Sequence, residues 1–291
     1  MTVLAHLSDL HLIERDHHKR TGLARRRLAF LSTGSALDAE ARMQRVAATL
    51  QAARRARADH VLITGDLTED GNDAQFEVLA EVLDASGLDP DSVTIVPGNH
   101  DGYGSYGAWD RALRGPLRAY RATCTPGACT VLAEAVITPL STMIEGQWIT
   151  HSRGMLREED LLTVRRIASD PISRGRAVVV AQHHPPNRHP VFALEWIDGV
   201  TNGPAMNDLL RERTRVHVVH GHIHRQTTKR LSGRSHAQVF STASVRDEFV
   251  RGLSLRLYKA EEGTLQELTA NVPLLQPLTA GSPARLTLAS V

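Results

Sequence analysis

The chain has 291 residues, 42% of them hydrophobic, enough to build a sizeable core in one large α/β domain or in two smaller ones. Lys and Arg number 34 against 32 Asp and Glu, a formal charge of +2, which falls short of the basic excess of a nucleic-acid binder that works by neutralising phosphates. Cys124 and Cys129 are too few for a disulfide framework and read as free thiols of a cytosolic chain rather than as a local pair.

Residues 1–9 carry no basic n-region and no long apolar stretch, so a signal peptide is not expected. No run approaches the roughly 18 to 20 apolar residues of a membrane span. A soluble, cytoplasmic protein is the expectation. The 15 histidines permit a metal site without placing one.

In chain order, residues 3–7 read as a buried strand. A helix follows over 40–57, with Met43, Val46, Ala47, Leu50 and Ala53 on one face. Next come a strand at 61–64, a helix at 73–86 capped by Asn72 or Asp73, and a strand at 93–96. Further strands are expected at 131–132, 136–137, 147–150, 178–181, 216–219, 238–241 and 253–258, and helices at 158–169 and 204–213. The β-α-β-α-β opening predicts an α/β fold with partly parallel strands, and the strand-rich second half suits a second sheet packed on the first. No internal repeat is evident. Residues 1–272 are expected to form the folded domain, and 273–291, which lack periodicity, a loosely attached tail.

Polar motifs follow five of the strands. They are Asp9-Leu10-His11, Gly65-Asp66-Leu67-Thr68-Glu69, Gly98-Asn99-His100-Asp101, His183-His184-Pro185 and Gly221-His222-Ile223-His224. In open α/β sheets, ligands bind beyond the carboxyl ends of strands, and glycines there allow tight turns and close backbone approach. The side chains offer oxygen and nitrogen but no thiolate, which suits Mn, Fe, Co, Ni or Zn and not a structural zinc–cysteine site. Seven donors, Asp9, His11, Asp66, Asn99, His183, His222 and His224, exceed the needs of one ion. With one shared carboxylate they suffice for two ions about 3.5–4 Å apart, as in phosphate-ester hydrolysis.

This ordered set, D-x-H, G-D-x-x-E, G-N-H-D, H-H-P and G-H-x-H, resembles the calcineurin-like metallophosphoesterase superfamily over residues 9–224. The resemblance implies a two-sheet β-sandwich core flanked by helices and a centre of two divalent or mixed-valence ions. It implies that Asp9, His11 and His224 hold one ion, that Asn99, His183 and His222 hold the other, and that Asp66 bridges them. His100 would lie just outside the metals and donate to the phosphate or protonate the leaving oxygen, with Asp101 orienting its imidazole. A metal-bridging hydroxide would attack phosphorus.

Other residues have quieter readings. His184 is expected to contact substrate or the ligand shell, His6, His217 and His220 to be packed or hydrogen-bonded, and Glu69 and Asp70 to order their loop. Tyr103, Tyr106 and Trp109 could stack on a base or sugar, or pack the loop. The insertion at 13–38, with His17, His18, Lys19, Arg20 and Arg25-Arg26-Arg27 among apolar residues, departs from the family's shorter route. It reads as a solvated, partly helical insertion, as a lid whose cations meet a phosphate, or as a patch lying weakly on an anionic membrane surface.

Motif spacing is closest to the class III cyclic-nucleotide and glycerophosphodiester phosphodiesterases. The expected activity is hydrolysis of a small-molecule phosphodiester such as a 3′,5′-cyclic nucleotide. A nucleotide-diphosphate pyrophosphatase of the UDP-diacylglucosamine type is the alternative, since it would give the insertion a headgroup to bind. A non-catalytic binding module on the same fold is disfavoured, because decayed members lose ligands first and all seven are present here. The missing basic strip with interleaved aromatics argues against a nuclease.

Overall fold

The computed structural model describes residues 1–187, 195–231, 233–246 and 254–268. Its first half comprises β1 (Thr2–Leu7), α1 (Gly22–Leu31), α2 (Ala39–Arg55), β2 (His60–Thr64), α3 (Asp73–Ser86), β3 (Val93–Val96), α4 (Ala108–Arg114) and α5 (Arg121–Cys124). Then follow β4 (Thr130–Val131), β5 (Ala135–Pro139), β6 (Gly154–Met155), α6 (Glu158–Ser169), β7 (Ala177–Ala181), α7 (Glu195–Asp198), β8 (Val200–Thr201) and α8 (Gly203–Glu212). The last elements are β9 (Val216–His220), β10 (Thr227–Lys229), β11 (Val239–Ser241), β12 (Arg256–Glu261) and β13 (Thr264–Glu267).

Local chemistry explains the helix limits. The side chain of Asp38 accepts from the backbone N–H of Ala41 at 3.0 Å and starts α2, while Arg54 and Arg55 fall at its carbonyl end. Asn72, not Asp73, caps α3, accepting from Ala74 N–H at 3.0 Å, and Gly87 closes that helix in the left-handed conformation.

Two sheets form the core, in the order β13-β12-β1-β2-β3 and β10-β11-β9-β7-β5-β4. Strands β1, β2 and β3 are parallel, as are β5, β7, β9 and β11. Alternation along each strand builds three apolar layers. Leu4, Leu62, Val179, Val219, Phe240 and Tyr258 meet between the sheets. Ala5, Val61 and Ile63 face the other way, onto Val46, Leu50, Phe76 and Leu79 of α2 and α3. On the far side, Val178, Val180, Val216 and Val218 pack against Val164 of α6 and Leu209 of α8. The result is a two-sheet sandwich flanked by helices. Central strands buried on both faces tend to be continuously apolar, which is why β7 and residues 61–63 of β2 read as uninterrupted runs.

Two strand expectations change. Residues 147–150 form no strand: they lie in a loop where Trp148 is exposed and Gln147 donates through Nε2 to Arg153 O at 3.2 Å. Four residues of strand-like composition did not find a partner edge. The strand expected at 253–258 starts at Arg256 and runs on to Glu261, paired antiparallel with β1, and Leu253 lies outside the described residues. So does the tail expected at 273–291. Segment 13–38 is partly helical, containing α1 and a 3-10 turn at His17–Lys19. Both cysteines are free, Cys124 buried and Cys129 exposed.

Candidate metal centre

Because β1, β2 and β3 run parallel in one sheet and β5, β7, β9 and β11 run parallel in the other, the polar motifs at their ends emerge at shared edges. Pairing continues past the strand ends: Asp9 N–H donates to Gly65 O at 3.0 Å and His11 N–H to Asp66 O at 2.9 Å. This extension carries Asp9 and His11 alongside Asp66. The second sheet joins where the backbone N–H of His222 donates to Asp9 Oδ1 at 3.1 Å.

Tight turns are required to aim these side chains inward. Eight non-glycine residues have positive φ among the described residues, and five of them are predicted ligands: Asp9, His11, Asp66, His222 and His224. Such conformations cost on the order of 1–3 kcal/mol each and persist where the surroundings enforce them, typically at functional sites. Packing is as close as glycine allows. A Cβ on Gly98 would fall 2.3 Å from Asp66 Oδ1, and one on Gly221 would fall 1.8 Å from Ser8 Oγ.

The donors form two groups around one carboxylate. Asp66 Oδ1 lies 3.4 Å from His183 Nε2, while Asp66 Oδ2 lies 3.8 Å from His11 Nε2. On the His11 side, one atom each of Asp9, His11, Asp66 and His224 lie within 4.8 Å of one another. On the His183 side, Asn99 Oδ1 is 3.1 Å from His183 Nε2 and 3.2 Å from His222 Nδ1. Ligands about 2.1 Å from a common ion would be separated by about 3 to 4 Å, which the pairs His11–Asp66 at 3.8 Å and His224–Asp9 at 3.4 Å match on one side and the Asn99 pairs match on the other.

Tautomers sharpen the fit. His183 Nδ1 faces Thr64 O at 2.7 Å and must donate to it, which leaves the lone pair on Nε2. His222 Nε2 donates to Asp198 Oδ1 at 2.8 Å, leaving the lone pair on Nδ1. Asn99 Nδ2 donates to Tyr103 Oη at 3.0 Å, so its Oδ1 turns inward. Three lone pairs and a carboxylate oxygen therefore converge, an arrangement that needs a cation. Opposite them, His11 is 1% exposed and neither ring nitrogen makes a hydrogen bond. A buried imidazole left that way costs roughly 1–3 kcal/mol unless something accepts its lone pair. The residues fit a pair of metal ions.

Electrostatics agree. Burial alone would raise the Asp66 carboxyl, but His183, His100 and His11 outweigh it and hold it well below the usual range. Burial would likewise lower His183, yet the carboxylates of Asp66 and Asp9 push it up to about 9. The cluster attracts positive charge.

His100 and Asp101 separate. The His100 ring sits beside the centre, Nε2 4.0 Å from Asp66 Oδ2, and its Nδ1 donates to the carbonyl of Glu69 at 2.7 Å. Glu69 O, rather than Asp101, thus orients the imidazole. The Asp101 carboxylate instead accepts from the backbone N–H groups of Leu67, Thr68 and Gly98 and from Thr68 Oγ1, stitching the loop after β2 to the loop after β3. Burial and the neighbouring Asp66 push Asp101 up to about 6, against those hydrogen bonds.

The remaining residues also take definite places. His184 is satisfied at both nitrogens, by Thr142 Oγ1 at 2.7 Å and Ser152 O at 2.9 Å, so it props the 142–152 loop instead of offering a lone pair. His6 bridges Tyr258 and Thr64 inside the sandwich, His220 faces Gly221 O and His217 faces Gly263 O. Glu69 pairs with Arg42 and Arg246, and Asp70 with Arg20 and Arg27, so both acids order the loop. Arg20 and Arg27 consequently tie segment 13–38 to the body instead of reaching for a phosphate. Tyr103 and Trp109 are buried; of the three aromatics, only Tyr106 is exposed.

Sequence reading missed Asp198, which holds His222 and also accepts from Ser152 Oγ at 2.5 Å. It missed Arg42 as well, whose Nη1 donates to His11 O at 2.6 Å. Neither stands in a strand-end motif. The nearest signal for Arg42 is an arginine on the otherwise apolar face of a helix.

The calcineurin-like phosphoesterase family matches residues 2–226. This chain belongs to that family. A calcineurin-like phosphoesterase is a metal-dependent phosphoester hydrolase, in keeping with the two donor groups around Asp66. The chain is similar in fold to a dimetal phosphatase from Danio rerio, with a TM-score of 0.64 and 15% identity over 92% of this chain and 98% of that one. A protein from Thermus thermophilus is similar too, with a TM-score of 0.56 and 11% identity over 93% of this chain and 99% of that one. No protein of curated function matches by sequence.

Proposed function

We propose that this phosphoesterase hydrolyses a small-molecule phosphodiester, such as a 3′,5′-cyclic nucleotide. Asp9, His11 and His224 hold one ion, Asn99, His183 and His222 the other, and Asp66 bridges them. The observation that carries this reading is the two-sided carboxylate, one oxygen of Asp66 toward His11 and the other toward His183. Bound ions would supply the charge that neutralises phosphoryl oxygens and lowers the pKa of a water nucleophile.

The chain's own residues do the rest. Asp198 and Thr64 O fix the rings of His222 and His183, so that little reorganisation is needed at the moment of reaction. With Nδ1 committed to Glu69 O, Nε2 is the ring atom of His100 left to carry a proton to a departing oxygen. Diester preference is supported by motif spacing. The exposed Leu23 and Phe30 of the insertion favour a second reading, a nucleotide-diphosphate pyrophosphatase acting on a lipid-linked substrate.

The test is a chelated sample against samples reloaded with Mn²⁺, Fe²⁺, Zn²⁺, Co²⁺ or Ni²⁺, screened on cyclic nucleotides, glycerophosphodiesters, nucleotide-diphosphate conjugates and phosphomonoesters. Turnover of diesters by loaded protein alone is expected. Equal turnover in chelated and loaded samples would sink the metal mechanism, and cleavage confined to lipid-linked diphosphates would favour the second reading.

A further inference from the structure

Four aromatic side chains are exposed among the described residues: Phe30 at 54%, Tyr106 at 83%, Trp148 at 80% and Trp196 at 59%. Three of them stand on segments whose contacts lead to the metal centre. Phe30 belongs to α1, which Arg27 ties to Asp70 and to Tyr103 O. Trp148 precedes His151, whose carbonyl accepts from Tyr103 Oη at 2.8 Å. Trp196 stacks near His151, with ring centroids 5.3 Å apart, two residues before the Asp198 that holds His222. Tyr106 lies five residues after Asp101. Phe30 and the Trp148–Ile149 loop meet on one rim, since Phe30 lines a groove with Ile149, so these two exposed rings are not a scatter of single residues.

Helix α1 adds charge to that rim. Leu28 is its one buried residue, and Leu23 is 81% exposed. Leu23, Arg26, Arg27 and Phe30 fall at i, i+3, i+4 and i+7 and line a shallow groove with Ile149. The helix has three arginines and no acid, and Arg25 and Arg26 are exposed with no ion-pair partner among the described residues. Exposed aliphatic and indole side chains interleaved with unpaired arginines match the chemistry of an anionic bilayer surface, where rings settle at headgroup depth and guanidiniums meet lipid phosphate. No helix among the described residues is long and apolar enough to cross a membrane, so such contact is peripheral.

We propose that the rim of the metal centre, formed by α1 and the Trp148–Ile149 loop, docks on an anionic lipid surface. This goes beyond the phosphoesterase reading and does not rest on it, because lipid binding is read without hydrolysis.

The experiment uses the full chain, metal-loaded, with vesicles of phosphatidylcholine alone or carrying about 30% phosphatidylglycerol. Sedimentation with the anionic vesicles only, a blue shift of tryptophan emission and loss of binding at high salt are expected. Leu23→Glu/Phe30→Glu should weaken binding at least about tenfold, and Arg25→Glu/Arg26→Glu should abolish the preference for anionic vesicles, both with unchanged metal content. Absence of vesicle binding at low salt, or variants that bind as the parent does, would overturn the proposal. A concentration-dependent dimer that Leu23→Glu/Phe30→Glu dissolves, with no vesicle binding, would overturn it too and assign the rim to a second copy of the chain.

Discussion

The backbone N–H of His100 donates to Asp66 Oδ1 at 2.9 Å, so the carboxylate between the two donor groups and the imidazole beside them form one unit. The turn that positions the proposed proton carrier is anchored on the bridging candidate. The two residues can nevertheless be separated by mutation, because the bond uses the backbone of His100 and the side chain of Asp66.

Asp66→Ala removes the shared carboxylate and the acceptor for that N–H. Elemental analysis of the reloaded variant should find about one ion or fewer where the parent holds two, with diester hydrolysis lost. Two tightly held ions in the variant would show that Asp66 does not join the sites.

His100→Ala leaves the seven donors and the backbone bond to Asp66 in place. Metal content should match the parent, while turnover falls by about 10² to 10⁴, the range for losing a proton-transfer group. If metal is lost in parallel with activity, His100 belongs among the ligands.

Asp198→Ala takes the acceptor from His222 Nε2 and frees the ring to change tautomer. Affinity for the more weakly held ion should drop about 10- to 100-fold, measured by chelator competition, with Asp198→Glu recovering part of it. Unchanged affinity would reduce Asp198 to a surface contact.

Stability should fall in acid through two histidines remote from the centre. Burial lowers His60 to about 4, with Nε2 on Thr94 Oγ1 at 2.8 Å, and lowers His217 to about 4. Since the unfolded value is near 6.5, the unfolded chain binds protons first. The contribution of the neutral rings is complete above pH ~6.5 and is lost as pH falls toward ~4, by up to about 1.4 kcal/mol per pH unit for each ring. Denaturant titrations of His60→Gln should show a shallower acid loss than the parent, and identical slopes would contradict the assignment.

Much of this was legible before any coordinates. Asp9, Asp66, Asn99 and His222 stand at strand ends, and strand ends are readable because runs such as Val178–Ala181 must be apolar on both faces. Charge and imidazole in so apolar a setting signal chemistry. Asp101 shows the limit. Adjacency to His100 suggested that it orients the ring, but the 3-10 turn at His100–Gly102 sends neighbouring side chains in different directions, about 120° apart.

By itself, then, the order of residues determined the alternation that layers the sandwich and the identity of the donors delivered to its edge, since both follow from local periodicity and side-chain chemistry. Tertiary structure alone decided which ring nitrogen keeps its lone pair, that Glu69 O holds His100, that Asp198 holds His222, and that Arg20 and Arg27 are spent on Glu14 and Asp70. Those are contacts between groups up to 119 positions apart in the chain, set by where the folded backbone puts them, and no local pattern encodes them.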